Sequence, residues 1–182
     1  PSLRGAGWAM GRSSFFSTVP DSMVTDPAYY DVRGPEDKDR WYRPSDVAVG
    51  TDGSIYVADW YDEGVGYHLV GDSTGYGRIF RISPSDRELT VPDVDLSTTE
   101  GRIDALRNPA KNVRFQAFVQ LREEGASAVP AVAELLEAEN PYHRARAIWL
   151  LAQLGPDGVE LVEQALGDES PRMRIAAYRA LG

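Results

Sequence analysis

Val113-Arg114-Phe115-Gln116-Ala117, His143-Arg144-Ala145-Arg146-Ala147 and Met173-Arg174-Ile175-Ala176-Ala177 stand 30 residues apart, and Leu121, Leu151 and Leu181 close each copy at the same interval. A self-similarity of this length marks stacked structural repeats, each too small to bury its apolar face alone. The same spacing links Leu106, Leu136 and Leu166, then Gly125 and Gly155, Val129 and Val159, and Val132 and Val162, so the repeating unit is a whole helical hairpin. Within the first hairpin Val113, Ala117, Phe118 and Leu121 predict one apolar stripe and Val129, Val132, Ala133 and Leu136 a second, with Gly125 at the bend. The second hairpin carries Ala147, Ile148 and Leu151, then Val159, Val162 and Leu166. Pro141 and Pro171 fall where helices begin, a position at which the missing N–H costs nothing.

Upstream of the repeats the pattern changes period. Asp46-Val47-Ala48-Val49-Gly50 alternates, Thr51-Asp52-Gly53 supplies a tight turn, and Ser54-Ile55-Tyr56-Val57-Ala58-Asp59 alternates again, which predicts a hairpin. Arg78-Ile79-Phe80-Arg81-Ile82-Ser83 predicts a third strand after a Gly-rich loop over 60–77. Weaker apolar patches at Gly7-Trp8-Ala9-Met10 and Phe15-Phe16 predict one or two more strands. The stretch 21–43 reads as a long polar surface loop, and 84–101, rich in Pro, Asp, Ser and Thr, as a linker or an extended segment lying over its neighbour. The expected fold class is therefore α+β: a partial β-propeller blade or a small antiparallel sheet over 1–100, then an α-solenoid over 101–182.

Bulk properties narrow the function classes. The chain has 182 residues, 42% of them hydrophobic, a net charge of -9 and no cysteine. Disulfides, thiolate metal sites and a cysteine nucleophile are excluded. The negative charge argues against a nucleic-acid backbone or an anionic membrane as partner, since both require basic surface. The longest apolar run, Ala147 to Ala152, is far short of the roughly 20 residues of a membrane span. A solenoid ending mid-repeat and a lone blade both lack closure, so the chain reads as a junction piece of a longer protein, or as one whose ends another chain covers.

The run Trp41 to Asp62, with Gly66-Tyr67-His68 and Gly77-Arg78-Ile79-Phe80-Arg81-Ile82, resembles the closing segment of the membrane-bound dehydrogenase domain of large secreted proteins of Planctomycetes and Verrucomicrobia. Those proteins pair a quinoprotein sugar dehydrogenase-like propeller with HEAT repeats, and residues 103–182 are similar to HEAT repeats in general. The resemblance implies a parent protein that oxidises a sugar or alcohol with pyrroloquinoline quinone (PQQ) and calcium, in a secreted or periplasmic setting. This segment would serve mainly as scaffold, held by the parent's missing blades and further HEAT repeats and retaining no cofactor by itself. The alternative is a non-catalytic protein-interaction module that uses the HEAT surface.

Several residues carry alternative roles. Asp59 and Asp62, at the end of a strand and the start of a loop, offer hard oxygen ligands to calcium, or Asp59 caps a turn while Trp60 and Tyr61 pack between blades. His68 is the histidine of the sheet region, a candidate general base or a hydrogen-bonded surface residue. Arg43, held extended by Pro44, presents its fork to a carboxylate or quinone anion, or pins the loop to Asp46 or Asp59. No nucleophile elbow accompanies them, and the Gly71 to Gly77 loop lacks the lysine and helix of a phosphate cradle. Arg114, Arg144 and Arg174 form a ladder that either binds an anionic partner or pairs with Glu139, Asp168 and Glu169 between repeats. His143 is expected to face solvent. Trp149 lies off the apolar stripe and is, with Arg144, a candidate partner contact.

Overall fold

The computed structural model describes residues 42–60 and 77–182, together with the short strands 2–4 and 7–9. The chain divides into two compact units, one of residues 1–47 and 56–81, the other of 48–55 and 82–182.

In the first part β1 (Ser2–Arg4) and β2 (Gly7–Ala9) pair antiparallel with Leu3 opposite Trp8. Gly7-Trp8-Ala9 is thus a strand, as its composition predicts, while Phe15 and Phe16 lie outside the described residues. A separate three-stranded antiparallel sheet is ordered β3 (Pro44–Val49), β4 (Ile55–Asp59), β5 (Arg78–Ile82). This is the small-sheet form of the expected α+β class. The central strand β4 buries alternate residues, Val57 and Asp59, as a period of two requires, whereas every residue of the edge strand β3 is exposed.

The β3–β4 turn follows from its sequence. Gly53 takes φ 85°, and its N–H donates to the Gly50 carbonyl at 3.0 Å while the Gly50 N–H donates to Ser54 at 2.8 Å. This is a three-residue loop closed by a left-handed glycine, a conformation that Thr51 and Asp52 would adopt only at a cost. The Asp52 carboxylate accepts from the Ser54 N–H at 2.9 Å and the Ser54 hydroxyl at 2.6 Å, fixing the turn from inside. Within the same unit the Asn108 side-chain amide donates to the Thr51 carbonyl at 3.4 Å, so the tip of the hairpin rests on the helices.

Residues 82–98 belong to that helical unit, and Val94 and Leu96 pack on its core, making this stretch an extended segment on the helices. The stack then runs α1 (Thr99–Arg107), α2 (Lys111–Glu124), α3 (Val129–Ala133), α4 (Pro141–Leu151), α5 (Pro156–Gln164) and α6 (Pro171–Leu181). Helices α4, α5 and α6 start at proline, and the bends before α3 and α5 are made by Gly125 and Gly155 at φ 67° and 99°. Ala117, Ala147 and Ala177, at one position of the repeat, are fully buried, as are Leu121 and Leu151. A small residue at this position lets helices approach closely, and each buried leucine contributes about 1.5–3 kcal/mol. All these residues lie in one continuous core from Ile103 to Ala177.

Leu166, expected in the second apolar stripe, is 41% exposed, and two further features depart from the sequence pattern. The return limb of the first hairpin winds as a 3-10 turn (Gly125–Ala128), then α3, then a second 3-10 turn (Glu134–Glu137). With this tighter winding Leu135 is fully buried and Leu136 packs on the core only in part, because three residues per turn displace the face set by 3.6. The second departure is close helix contact at glycine. A Cβ placed on Gly158 would stand 2.3 Å from the Leu151 carbonyl oxygen, and one on Gly101 would stand 2.3 Å from that of Asp95. Neither site admits a side chain without backbone movement.

Candidate functional site

The sheet places Asp59 and Arg43 together. The Asp59 side chain is wholly buried; its Oδ1 accepts the backbone N–H of Arg43 at 2.9 Å and its Oδ2 accepts the Arg78 guanidinium at 3.0 Å. The Trp60 N–H donates to the Arg43 carbonyl at 2.9 Å, closing the same junction. The bond from Arg43 to Asp59 is made by its main chain, and its guanidinium donates to the Tyr42 carbonyl at 3.1 Å. Arg78 lies 5.2 Å from the centre of the Phe80 ring, which meets Tyr42 edge-on at 6.0 Å. Burial, and after it the Asp59 carboxylate, raises the Tyr42 phenol above its ordinary range. These contacts tie β3, β4 and β5 together at one end of the sheet.

For calcium to use Asp59, it would have to displace Arg78 from the buried carboxylate, which leaves that carboxylate a poor fit to a hard, open oxygen site. Among the described residues there is no group of three or more His, Cys, Asp or Glu side chains able to hold a metal. Asp62 and His68, the second acid and the candidate base, lie outside the described residues, as do Tyr61 and residues 71–76 of the Gly-rich loop. Trp60 is described, and it is exposed.

The arginine ladder is present and is used within the chain. The Arg114 guanidinium donates to the carbonyls of Asn108, at 2.9 Å, and Pro109. Two periods on, Arg174 donates to the equivalent carbonyls of Asp168, at 2.7 Å, and Glu169, at 3.0 Å. Arg144 donates to the Leu136 carbonyl at 2.7 Å and pairs with the Asp168 carboxylate of the next loop. Each arginine therefore satisfies carbonyls left over where the preceding helix ends, and Arg144 adds the inter-repeat ion pair. Asn108 and Asp168, again two periods apart, each accept the N–H two residues on, at 2.8 and 2.7 Å.

Arg146 follows a different rule. It donates to the Leu106 carbonyl at 2.6 Å, and burial together with the Arg114 charge lowers its pKa. His143 is half-buried rather than solvent-facing, and burial, then Arg146 and Arg107, hold its pKa below the usual imidazole value. Positive charge has thus collected around the end of α1. Trp149 is 43% exposed on α4, the helix that also exposes Tyr142, while Ala147, Ile148, Leu150 and Leu151 face the core. The sequence pattern identified Trp149 by exclusion from the stripe, but it gave no reason to single out Tyr142, which has the same outward placement.

Residues 129–182 match the family model for HEAT repeats. No curated protein matches the chain. Neither finding supports a quinoprotein dehydrogenase or a propeller; what is supported is a HEAT-repeat segment at the carboxyl end. Among the described residues no helix is long and apolar enough to cross a membrane.

Proposed function

We propose that the chain acts as a protein-interaction module whose working part is the HEAT-repeat stack. The observation that carries this reading is a repeat segment with one continuous core that still turns large aromatic side chains, Tyr142 and Trp149, to solvent from its best-packed helix. Exposed aromatic residues on a rigid mount are the usual energetic centres of protein interfaces. The sheet, with Asp59 held by the Arg43 main chain and the Arg78 guanidinium, supports a structural role for that region. PQQ and calcium remain expectations attached to a parent dehydrogenase.

The test uses the full chain carrying a photo-cross-linking side chain in place of Trp149. The expected result is a covalent adduct with a protein that, once purified, binds the unmodified chain and loses that binding on Trp149→Ala. A melting temperature raised by PQQ plus calcium, with no protein bound, would instead move the reading to the dehydrogenase.

A further inference from the structure

The helical stack separates its charges by layer. Helices α4 and α6 together carry five arginines and no carboxylate, whereas the return limbs 125–140 and 152–170 carry eight carboxylates and neither Lys nor Arg. In a chain of net charge -9 the layer of α4 and α6 is thus basic beside acidic return limbs. Arg144, Arg146 and Arg174 already donate to main-chain carbonyls, and Arg144 also pairs with the Asp168 carboxylate. Arg179 is placed differently. Tyr142, Arg146 and Trp149 follow one another at i, i+4 and i+7, so they line one side of α4. One period later the same positions on α6 are Arg172, Ala176 and Arg179, with Ala145 and Ile175 as the equivalent pair between them.

Helices α4 and α6 pack against each other. Their shared outer surface therefore sets an arginine at the repeat position of each aromatic residue, and Ile175 adds a further exposed apolar group. Arg179 is exposed and forms no ion pair with any described residue.

We infer that the face formed by α4 and α6 docks a short acidic segment of another protein, one that carries aliphatic or aromatic anchors among its carboxylates. The inference rests on the interaction-module reading and names the partner's chemistry. Apolar anchors would cover Tyr142, Trp149 and Ile175, and a carboxylate would meet the guanidinium fork of Arg179 in bidentate geometry. Charge also sets the partner's size. Screening confines attraction to about 8 Å at physiological salt, so a short segment feels the basic layer alone. A long polyanion, such as a duplex or an anionic bilayer, would extend past it onto the acidic return limbs.

The experiment selects displayed random short peptides against the full chain, then measures the recovered peptide in solution. The expected peptides are rich in Asp and Glu with Leu, Ile, Phe or Trp anchors. Their affinity should fall roughly tenfold or more on Trp149→Ala and on Arg179→Glu, with thermal unfolding unchanged, and should weaken as salt rises. Recovery of neutral or basic peptides, of none, or of acidic peptides indifferent to both substitutions would overturn the inference. So would equal or tighter binding of a short DNA duplex or of phosphatidylserine vesicles. Peptides that instead lose binding on Glu160→Lys with Glu163→Lys would keep the interaction module and remove this face. Self-association abolished by Arg179→Glu would identify a second copy of the chain as occupant, also against the inference.

Discussion

The sheet and the helical stack solve the same problem, burying apolar surface in a small chain, by unequal means. In the stack a single pattern is written nearly three times, and each copy lies on the last, so positions such as Ala117, Ala147 and Ala177 share one fully buried environment. In the three-stranded sheet β3 buries none of its six residues, Val47 is 65% exposed, and order depends on a few polar contacts meeting at Asp59. The comparison teaches that repetition distributes stability over many equivalent sites, while a short sheet concentrates it in one or two.

Substitutions can break that contrast. The largest effect is expected in the stack: Leu151→Ala should lower stability by about 3–5 kcal/mol in urea unfolding, since it leaves a cavity in a continuous core. Val47→Ala on the exposed strand should stay within about 0.5 kcal/mol. Similar losses at both positions would erase the distinction. Next in size is Gly158→Ala, expected to cost about 1–3 kcal/mol, because the new methyl must push the Leu151 carbonyl away. A neutral result would show that α4 and α5 do not approach so closely.

In the sheet, Asp59→Ala should cost about 1–2 kcal/mol. It removes a buried acceptor shared by Arg43 and Arg78, but Arg78 is half-exposed and recovers water. Asp59→Asn, which keeps an acceptor for the Arg43 N–H, should cost less, and the reverse order would mean that the ion pair dominates. The smallest effect is that of pH. Burial and the neighbouring arginines hold His143 below its ordinary value of 6.5, so the unfolded chain takes up this proton first as pH falls. The contribution of His143 is complete above that value and is lost as pH falls toward the folded-state pKa. The pH dependence of the unfolding midpoint below 6.5 should therefore be shallower in His143→Gln than in the parent chain, and an unchanged slope would contradict it.

The same contrast decides what was legible in the sequence. The proline starts of α4 and α6, the glycine bends at 125 and 155 and the buried alanine column all follow from local chemistry repeated in register. The full burial of Leu135 beside a partly buried Leu136 did not follow, because 3-10 winding depends on how the limb packs. The start of α1 was hidden in a stretch that reads as linker: Thr98 caps it by accepting the Gly101 N–H at 3.1 Å, amid the Asp and Ser residues typical of loops. The close approaches at Gly101 and Gly158 involve backbone atoms several residues away and leave no mark in the periodicity. For the sites, Trp149 was legible as an exception to a stripe. The fate of Asp59 was not, because Arg78, which claims it, lies 19 residues further along the chain.

Native-state hydrogen exchange on the full chain tests the central contrast most directly. The account predicts that amides within 117–121 and 147–151 exchange only with global unfolding, at a common rate, while those of β3 exchange much earlier. Equal protection of β3 and α4, or helices that open one by one without cooperation, would contradict it.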